Sequence, residues 1–174
     1  MTNIYNRLRA VREGGSVIRG HGIKQGVYTY TVGQHSYDVL SIILLLHPNP
    51  SAQLIKAALW HDVPERWTGD SPAPIKWRNP ILREQLAKEE KVITDHFDLP
   101  SEHDLPLAEK AWLKGADMLE LKMWCTDQRA LGSQEVEGTL GMLEEAFYEI
   151  SETLPEAIRN AWHLYRTTRL PEAF

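Results

Sequence analysis

The sequence predicts an all-α fold, a single bundle of six or seven helices, and three observations lead there. Apolar residues recur at three- and four-residue spacing over most of the chain. Helix-start signals stand where those stretches open, Ser51 and the Asn79-Pro80 pair foremost. The β-like run Val27-Tyr28-Thr29-Tyr30-Thr31-Val32 lies inside a glycine-punctuated loop from Gly20 to Gly33 and allows at most a minor strand pair near residues 26–32.

The elements follow in order. Ile4, Leu8 and Val11 mark a first helix, stopped by Gly14-Gly15. A second runs from about Gln34 to His47, with Val39, Ile42, Ile43 and Leu46 toward the core, and Pro48 and Pro50 end it. Ser51 caps a third, Ala52 to His61 or beyond, on which Leu54, Ala58, His61 and Glu65 share a face if the helix continues through Pro64. Thr68 to Pro74 reads as a turn followed by an extended segment. Asn79-Pro80 opens a helix carrying Leu82, Leu86, Glu89 and Ile93. Asp104 with Pro106 starts a long helix to about Leu131, with Ala111, Lys114, Met118, Leu121 and Cys125 as its buried stripe. One amphipathic helix runs through Val136, Leu140, Leu143, Phe147 and Ile150; a last one, through Ile158, Trp162 and Tyr165, begins after a Thr153…Glu156 capping box.

A length of 174 residues suits one domain over 1–174. Apolar residues at 43% and charged residues at 25% are those of a globular chain. With 19 basic against 24 acidic residues the net charge is −5, which argues against duplex nucleic acid as a partner. Any phosphate-binding charge must then be local. The single cysteine, Cys125, forbids an intrachain disulfide. No stretch approaches the ~20 apolar residues of a membrane span, and no signal pattern opens the chain, so the expectation is a cytoplasmic protein without membrane attachment.

The chemistry centres on histidine and carboxylate. His61-Asp62 ends the apolar helix Leu54–Trp60, where a carboxylate is costly to bury unless paired or bound to a metal. Glu65 follows one turn later. His35 opens the second helix, and Asp117 lies on the core side of the long one. Taken singly, each is as well read as a hydrogen-bonded core residue. Together, two imidazoles and two carboxylates from three helices suit one borderline divalent ion such as Mn, Co, Ni or Zn, with positions left for water. The second His-Asp pair, His103-Asp104, sits between Pro100 and Pro106 and has a sufficient role in capping.

At this point the chain resembles the HD-domain phosphohydrolases, and within them the bacterial 5′-deoxynucleotidase branch with its phage relatives, which include dATP triphosphohydrolases. The resemblance covers about residues 17–120. It rests on Arg19-Gly20-His21, on Thr31 to Ser36 around His35, on Lys114-Gly115-Ala116-Asp117, and above all on the run from His61 to Lys76: His-Asp, a Glu three further on, Thr-Gly-Asp, a proline-punctuated loop and a lysine. The resemblance implies a divalent cation (Co, Mn, Zn, Ni or Mg) on His35, His61, Asp62 and Asp117, and Glu65 as the catalytic carboxylate. It implies Arg19, Lys76 and Lys114 on phosphate, and a sugar and base site of Gly20, His21, Ile23, Asp70, Ser71, Pro72 and Ala73.

The implied reaction is conversion of dATP and water to deoxyadenosine and triphosphate, which would deplete dATP in a phage-infected cell, in the host cytoplasm. The alternatives are a 5′-deoxynucleotidase acting on monophosphates and a non-catalytic nucleotide-binding module. The family's habit also implies a homo-oligomer, with Trp162 and Tyr165 as a possible contact. Two departures stand out. Gln34 precedes the first metal histidine where the branch usually has Glu. Gly20 follows the arginine where the branch usually has an aromatic residue that excludes a ribose 2′-hydroxyl; His21, Ile23 and Tyr28 are candidates to replace it.

Overall fold

The structure, a computed structural model, describes residues 2–25 and 29–165. Tyr28 and most of the residue 26–32 run's first half therefore lie outside the described residues. Within them the chain is helical: α1 (Ile4–Gly14), α2 (Val32–Leu46), α3 (Ala52–Trp60), α4 (Glu65–Thr68), α5 (Ala73–Arg78), α6 (Pro80–Phe97), α7 (Leu107–Ala130), α8 (Glu137–Ile150) and α9 (Glu156–Leu164). The β structure among the described residues is one antiparallel bridge, Ile18 to Thr31. No helix among them is long and apolar enough to cross a membrane.

Two elements exceed the expected six or seven. The Thr68–Pro74 segment does not stay extended: Pro72 sits just before α5 and Pro74 falls in its first turn, where proline's fixed φ and missing N–H suit a helix start. The third helix does not run through to Glu65. It stops at Trp60, a turn intervenes, and α4 begins at Glu65 after Pro64.

Local chemistry fixes the remaining bounds. Thr31 accepts from Gln34 N at 3.2 Å, so α2 begins earlier than the glycine at position 33 implied. Ser51 and Asn79 cap α3 and α6 as expected, accepting from Leu54 N and Leu82 N. Asp104 does not cap α7, which starts after Pro106; its carboxylate instead takes bonds from the Ser101 backbone N–H and hydroxyl at 3.1 and 2.9 Å, closing a short 3-10 turn over Glu102–Asp104. The Thr153…Glu156 box is likewise absent: the Thr153 hydroxyl donates to Ile150 O at 2.7 Å, and α9 starts after Pro155.

The core sits where α2, α3, α7, α8 and α9 meet. Val39, Ile43, Leu54, Ala58, Leu113, Met118, Leu119, Leu143, Phe147 and Trp162 are buried together. The buried stripe of α7 is Leu113, Ala116, Leu119 and Lys122 with Met118 and Cys125, whereas Lys114 is exposed and Ala111 and Leu121 are half-buried. Burying Lys122 is tolerable because its ammonium meets Glu144 at 2.9 Å, donates to Trp162 O at 3.1 Å and lies over the Trp162 ring. Trp162 itself is 0% exposed and stacks on Phe147 at 3.7 Å, so it is a core residue of this chain and not the surface contact expected of it. In α1 the apolar residues Ile4 and Leu8 are 67% and 64% exposed, and the helix packs instead through Ala10 and Gly14.

Candidate active site

Three stretches of chain bring the expected metal ligands to one point. α2 delivers His35 from its first turn, the end of α3 delivers His61 and Asp62, and the middle of α7 delivers Asp117. His35 Nε2 lies 3.2 Å from His61 Nε2, 3.3 Å from Asp62 Oδ2 and 3.4 Å from Asp117 Oδ1. His61 Nε2 lies 3.4 Å from Asp62 Oδ2. Donor atoms of His35, His61 and Asp62 all fall within 4.8 Å of one another.

The donor set passes a chemical test for a cation. Both imidazoles have their Nδ1–H committed: His61 donates to Ala58 O at 2.9 Å and His35 to Glu120 Oε2 at 2.6 Å. That tautomer turns both Nε2 lone pairs inward, as metal-bound histidines require. Two imidazole nitrogens and two carboxylates then face one volume, so these residues could hold a divalent metal.

Glu120 and Tyr30 are the functional neighbours that sequence reasoning missed. The Tyr30 hydroxyl donates to Glu120 Oε2 at 2.5 Å and stands 3.1 Å from His35 Nδ1. Tyr30 is held by the loop: its backbone N–H donates to Gln25 Oε1 and its carbonyl accepts from Arg19 N, both at 2.9 Å. The available signal was Glu120 three residues past Asp117, on the same helical side.

Electrostatics separate the carboxylates. Asp62 and Asp117 are largely buried, which alone would raise their pKa; Asp62 is nevertheless held well below the usual range by His61, Arg19 and His35, and Asp117 by Lys114 and His35. Without an ion, His35 is held well above its ordinary value because hydrogen bonds to Asp117, Asp62 and Glu120 outweigh burial and the Arg19 charge, so the inward Nε2 carries a proton that a bound cation would displace. Glu65 goes the other way: burial, and then the neighbouring Asp62, push it up to about 9. Arg19 closes the cluster, pairing with Asp62 and lying 3.4 Å from Glu65 Oε2. Arg66, a possible partner for Glu65, pairs with Glu13 instead.

Two cavities adjoin this cluster, sharing Arg19, Ala73, Lys76 and Leu121 as walls. One, of about 320 Å³, is walled by Gly20, Ile23, Asp70, Tyr30 and Trp124, with Ser71, Pro72 and Ala73 on its loop side. The Asp70 carboxylate there accepts from Gly20 N at 2.9 Å and faces His21 Nδ1 at 3.5 Å. The other, of about 250 Å³, reaches past His61, Asp62 and Asp117 to Lys76, Arg83, His103 and Lys114. Lys114 Nζ sits 3.0 Å from Asp117 Oδ2, at the mouth of the metal cluster. Arg19, Ala73 and Lys76 line both cavities.

A family model described as 5′-deoxynucleotidase YfbR-like matches residues 16–159. The chain belongs to this family. Curated 5′-deoxynucleotidases from Yersinia pestis (strain Pestoides F) and Yersinia pseudotuberculosis (serotype O:3) are each 30% identical over 135 residues, covering 65% of this chain and 68% of theirs. Among solved structures, the cyanophage S-2L HD phosphohydrolase DatZ, bound to dA and one catalytic Zn²⁺, has a TM-score of 0.67 at 22% identity and covers 95% of both chains. The PH0347 protein of Pyrococcus horikoshii OT3 has a TM-score of 0.66 at 17% identity, covering 92% of this chain and 99% of that one. The likeness of fold fits the helical architecture, and the YfbR-like membership makes the chain a metal-dependent phosphohydrolase of the 5′-deoxynucleotidase type.

Proposed function

We propose that this YfbR-like enzyme hydrolyses dATP at its α-phosphorus, releasing deoxyadenosine and triphosphate. The observation that carries this reading is a pair of adjoining cavities that share Arg19, Ala73, Lys76 and Leu121, one of them lined by His61, Asp62 and Asp117. A monophosphate needs a nucleoside cavity and the metal cluster only. The cavity that His61, Asp62 and Asp117 line continues to Lys76, Arg83, His103 and Lys114, with Glu90 and Glu102 also in its walls, and offers room and cationic groups for two further phosphates.

In this reading His35, His61, Asp62 and Asp117 hold the divalent ion. When bound, that ion lowers the pKa of water and polarises a phosphoryl oxygen. Arg19 grips the reacting phosphate, and Lys76 and Lys114 hold the tail. Glu65 receives a proton from the attacking water as oxygen bonds to phosphorus, the bond from phosphorus to O5′ breaks, and O5′ leaves protonated as deoxyadenosine. Asp70 accepts the sugar 3′-hydroxyl, with Gly20, His21 and the Ser71-Pro72-Ala73 loop around it. Ile23 crowds the position of a purine 2-amino group, which favours adenine. DatZ, described as bound to dA, supports a deoxyadenosine site in this fold.

The second reading, a 5′-deoxynucleotidase acting on deoxynucleoside monophosphates, is supported by the Yersinia relatives. Chromatography of the products from deoxynucleoside mono- and triphosphates, with Mn, Co, Zn or Mg added, separates the two. Triphosphate and deoxyadenosine from dATP are expected. Orthophosphate from monophosphates, with dATP untouched, assigns the nucleotidase instead; binding without turnover of either leaves only a nucleotide-binding module.

A further inference from the structure

We propose that Trp124 is the residue that discriminates deoxyribose from ribose, with its indole edge as the wall met by the sugar's C2′. This assignment deepens the deoxynucleotide reading above and rests on it. Four observations carry it. Trp124 lines the nucleoside cavity together with Gly20, Asp70 and Tyr30. Its ring is fixed in orientation, stacked on Tyr30 at 4.7 Å and 16°. Its benzo edge occupies the space beside Gly20 that a side chain would take: a Cβ there would stand 2.9 Å from Trp124 Cη2 and 3.4 Å from Cζ2. Gly20, at φ +61°, is also the residue whose N–H holds the Asp70 carboxylate at 2.9 Å.

These facts put a hydrogen-bond acceptor and an apolar ring edge on either side of one residue. A sugar whose 3′-hydroxyl bonds to Asp70 presents its neighbouring carbon, C2′, to the ring edge. A methylene there makes ordinary van der Waals contact. A 2′-hydroxyl turned to that edge would exchange water for ring carbon, because the benzo edge carries no acceptor and the cavity's polar side chains Glu135 and Thr139 belong to other walls than the ring. Glycine at position 20 is what lets the indole, arriving from α7, reach that wall; Gly20 by itself excludes nothing. The same placement relieves His21, which is 57% exposed in its side chain, of a steric role.

The test compares deoxyadenosine with adenosine by calorimetric titration of the metal-loaded protein, and dATP with ATP by kcat/KM. The variants are Trp124→Phe and Trp124→Ala. Phenylalanine can keep the stack on Tyr30 but lacks the benzo edge over Gly20, so it tests the wall with little risk to folding. The wild type is expected to favour the deoxynucleoside by tenfold or more. Trp124→Phe is expected to narrow that ratio by about tenfold, mainly through tighter adenosine binding, at an unchanged melting temperature. A merely structural tryptophan would weaken both nucleosides alike and leave the ratio where it was. An unchanged ratio in folded Trp124→Phe, or a wild type that binds both nucleosides equally, overturns the assignment. Failure to hydrolyse any deoxynucleotide while still binding deoxyadenosine overturns the proposed function alone, and the affinity ratio still decides Trp124. Binding of neither nucleoside overturns both.

Discussion

Glu65, the proposed proton carrier, is 3% exposed and sits beside Arg19 and Asp62, outside the group of His35, His61 and Asp62 donor atoms. Glu65→Gln is expected to lower kcat by about 10²–10⁴-fold while metal affinity, read by calorimetry, stays within a few-fold. Its raised pKa also makes a stability prediction. The folded state holds the Glu65 proton more tightly than the unfolded state, so this contribution is complete below pH 4.5 and is lost as pH rises to about 9. The melting temperature of the metal-stripped protein is therefore expected to fall across that window, and Glu65→Gln to flatten the slope. Glu120 acts on a different quantity. It is 3% exposed and orients His35, so Glu120→Gln is expected to weaken metal binding by about 10–100-fold in a calorimetric titration. His61, Asp62 and Glu65 were legible because they lie within one turn of each other in a short run. Glu120 and its bonds were not, because Glu120 lies 85 residues from His35 and 90 from Tyr30 along the chain.

Among the elements, α2, α3 and α8 could be read from apolar spacing, since spaced apolar residues are the buried ones in them, and α6 from its Asn79 cap, although its buried residue is Thr94. The departures each have a local cause. In α1 the apolar residues Ile4 and Leu8 point outward because Gly14 and Ala10 allow the closer approach: a Cβ on Gly14 would stand 3.0 Å from the Val63 backbone. In α5 the prolines that suggested extension fall at the start of a helix, where they cost nothing. The approach of α1's end to the start of α2 is equally tight. Gly33 N donates to Gly15 O at 2.9 Å, and a Cβ on Gly33 would stand 2.9 Å from that same oxygen. Backbone cannot rotate aside as a side-chain tip would. Gly33→Ala is thus expected to destabilise the fold by about 1–3 kcal/mol in denaturant titration, and to weaken metal binding because His35 lies two residues on.

At the scale of the molecule, the proposed ligands come from α2, the end of α3 and α7, all of which pack into one core. An ion held there ties these elements together and binds the folded state only. Metal at 100 times its dissociation constant is expected to stabilise the protein by about 2.7 kcal/mol, read as a rise in melting temperature that chelation reverses. His61→Ala should abolish most of that rise while folding cooperatively without metal. The helical class and the order His, His-Asp, Asp were visible in the sequence because they are written in local pattern. The two cavities were not, because residues of α5 and α7 line both, α6 lines one of them, and no single segment records their shape.

Four of the proposed roles fall on α7. Lys114, Asp117, Leu121 and Trp124 recur at three- and four-residue steps along it with Glu120 beside Leu121, so the proposed phosphate grip, metal ligand, histidine buttress and sugar wall share one side of a single helix. Each residue advances the helix by about 100° and 1.5 Å. Their relative placement is therefore set by counting alone. Inserting or deleting one residue between Asp117 and Trp124 would swing the wall about a quarter turn off the ligand, even though every side chain in the inventory remained. Evolution can retune this enzyme by exchanging letters along α7, but not by changing their number.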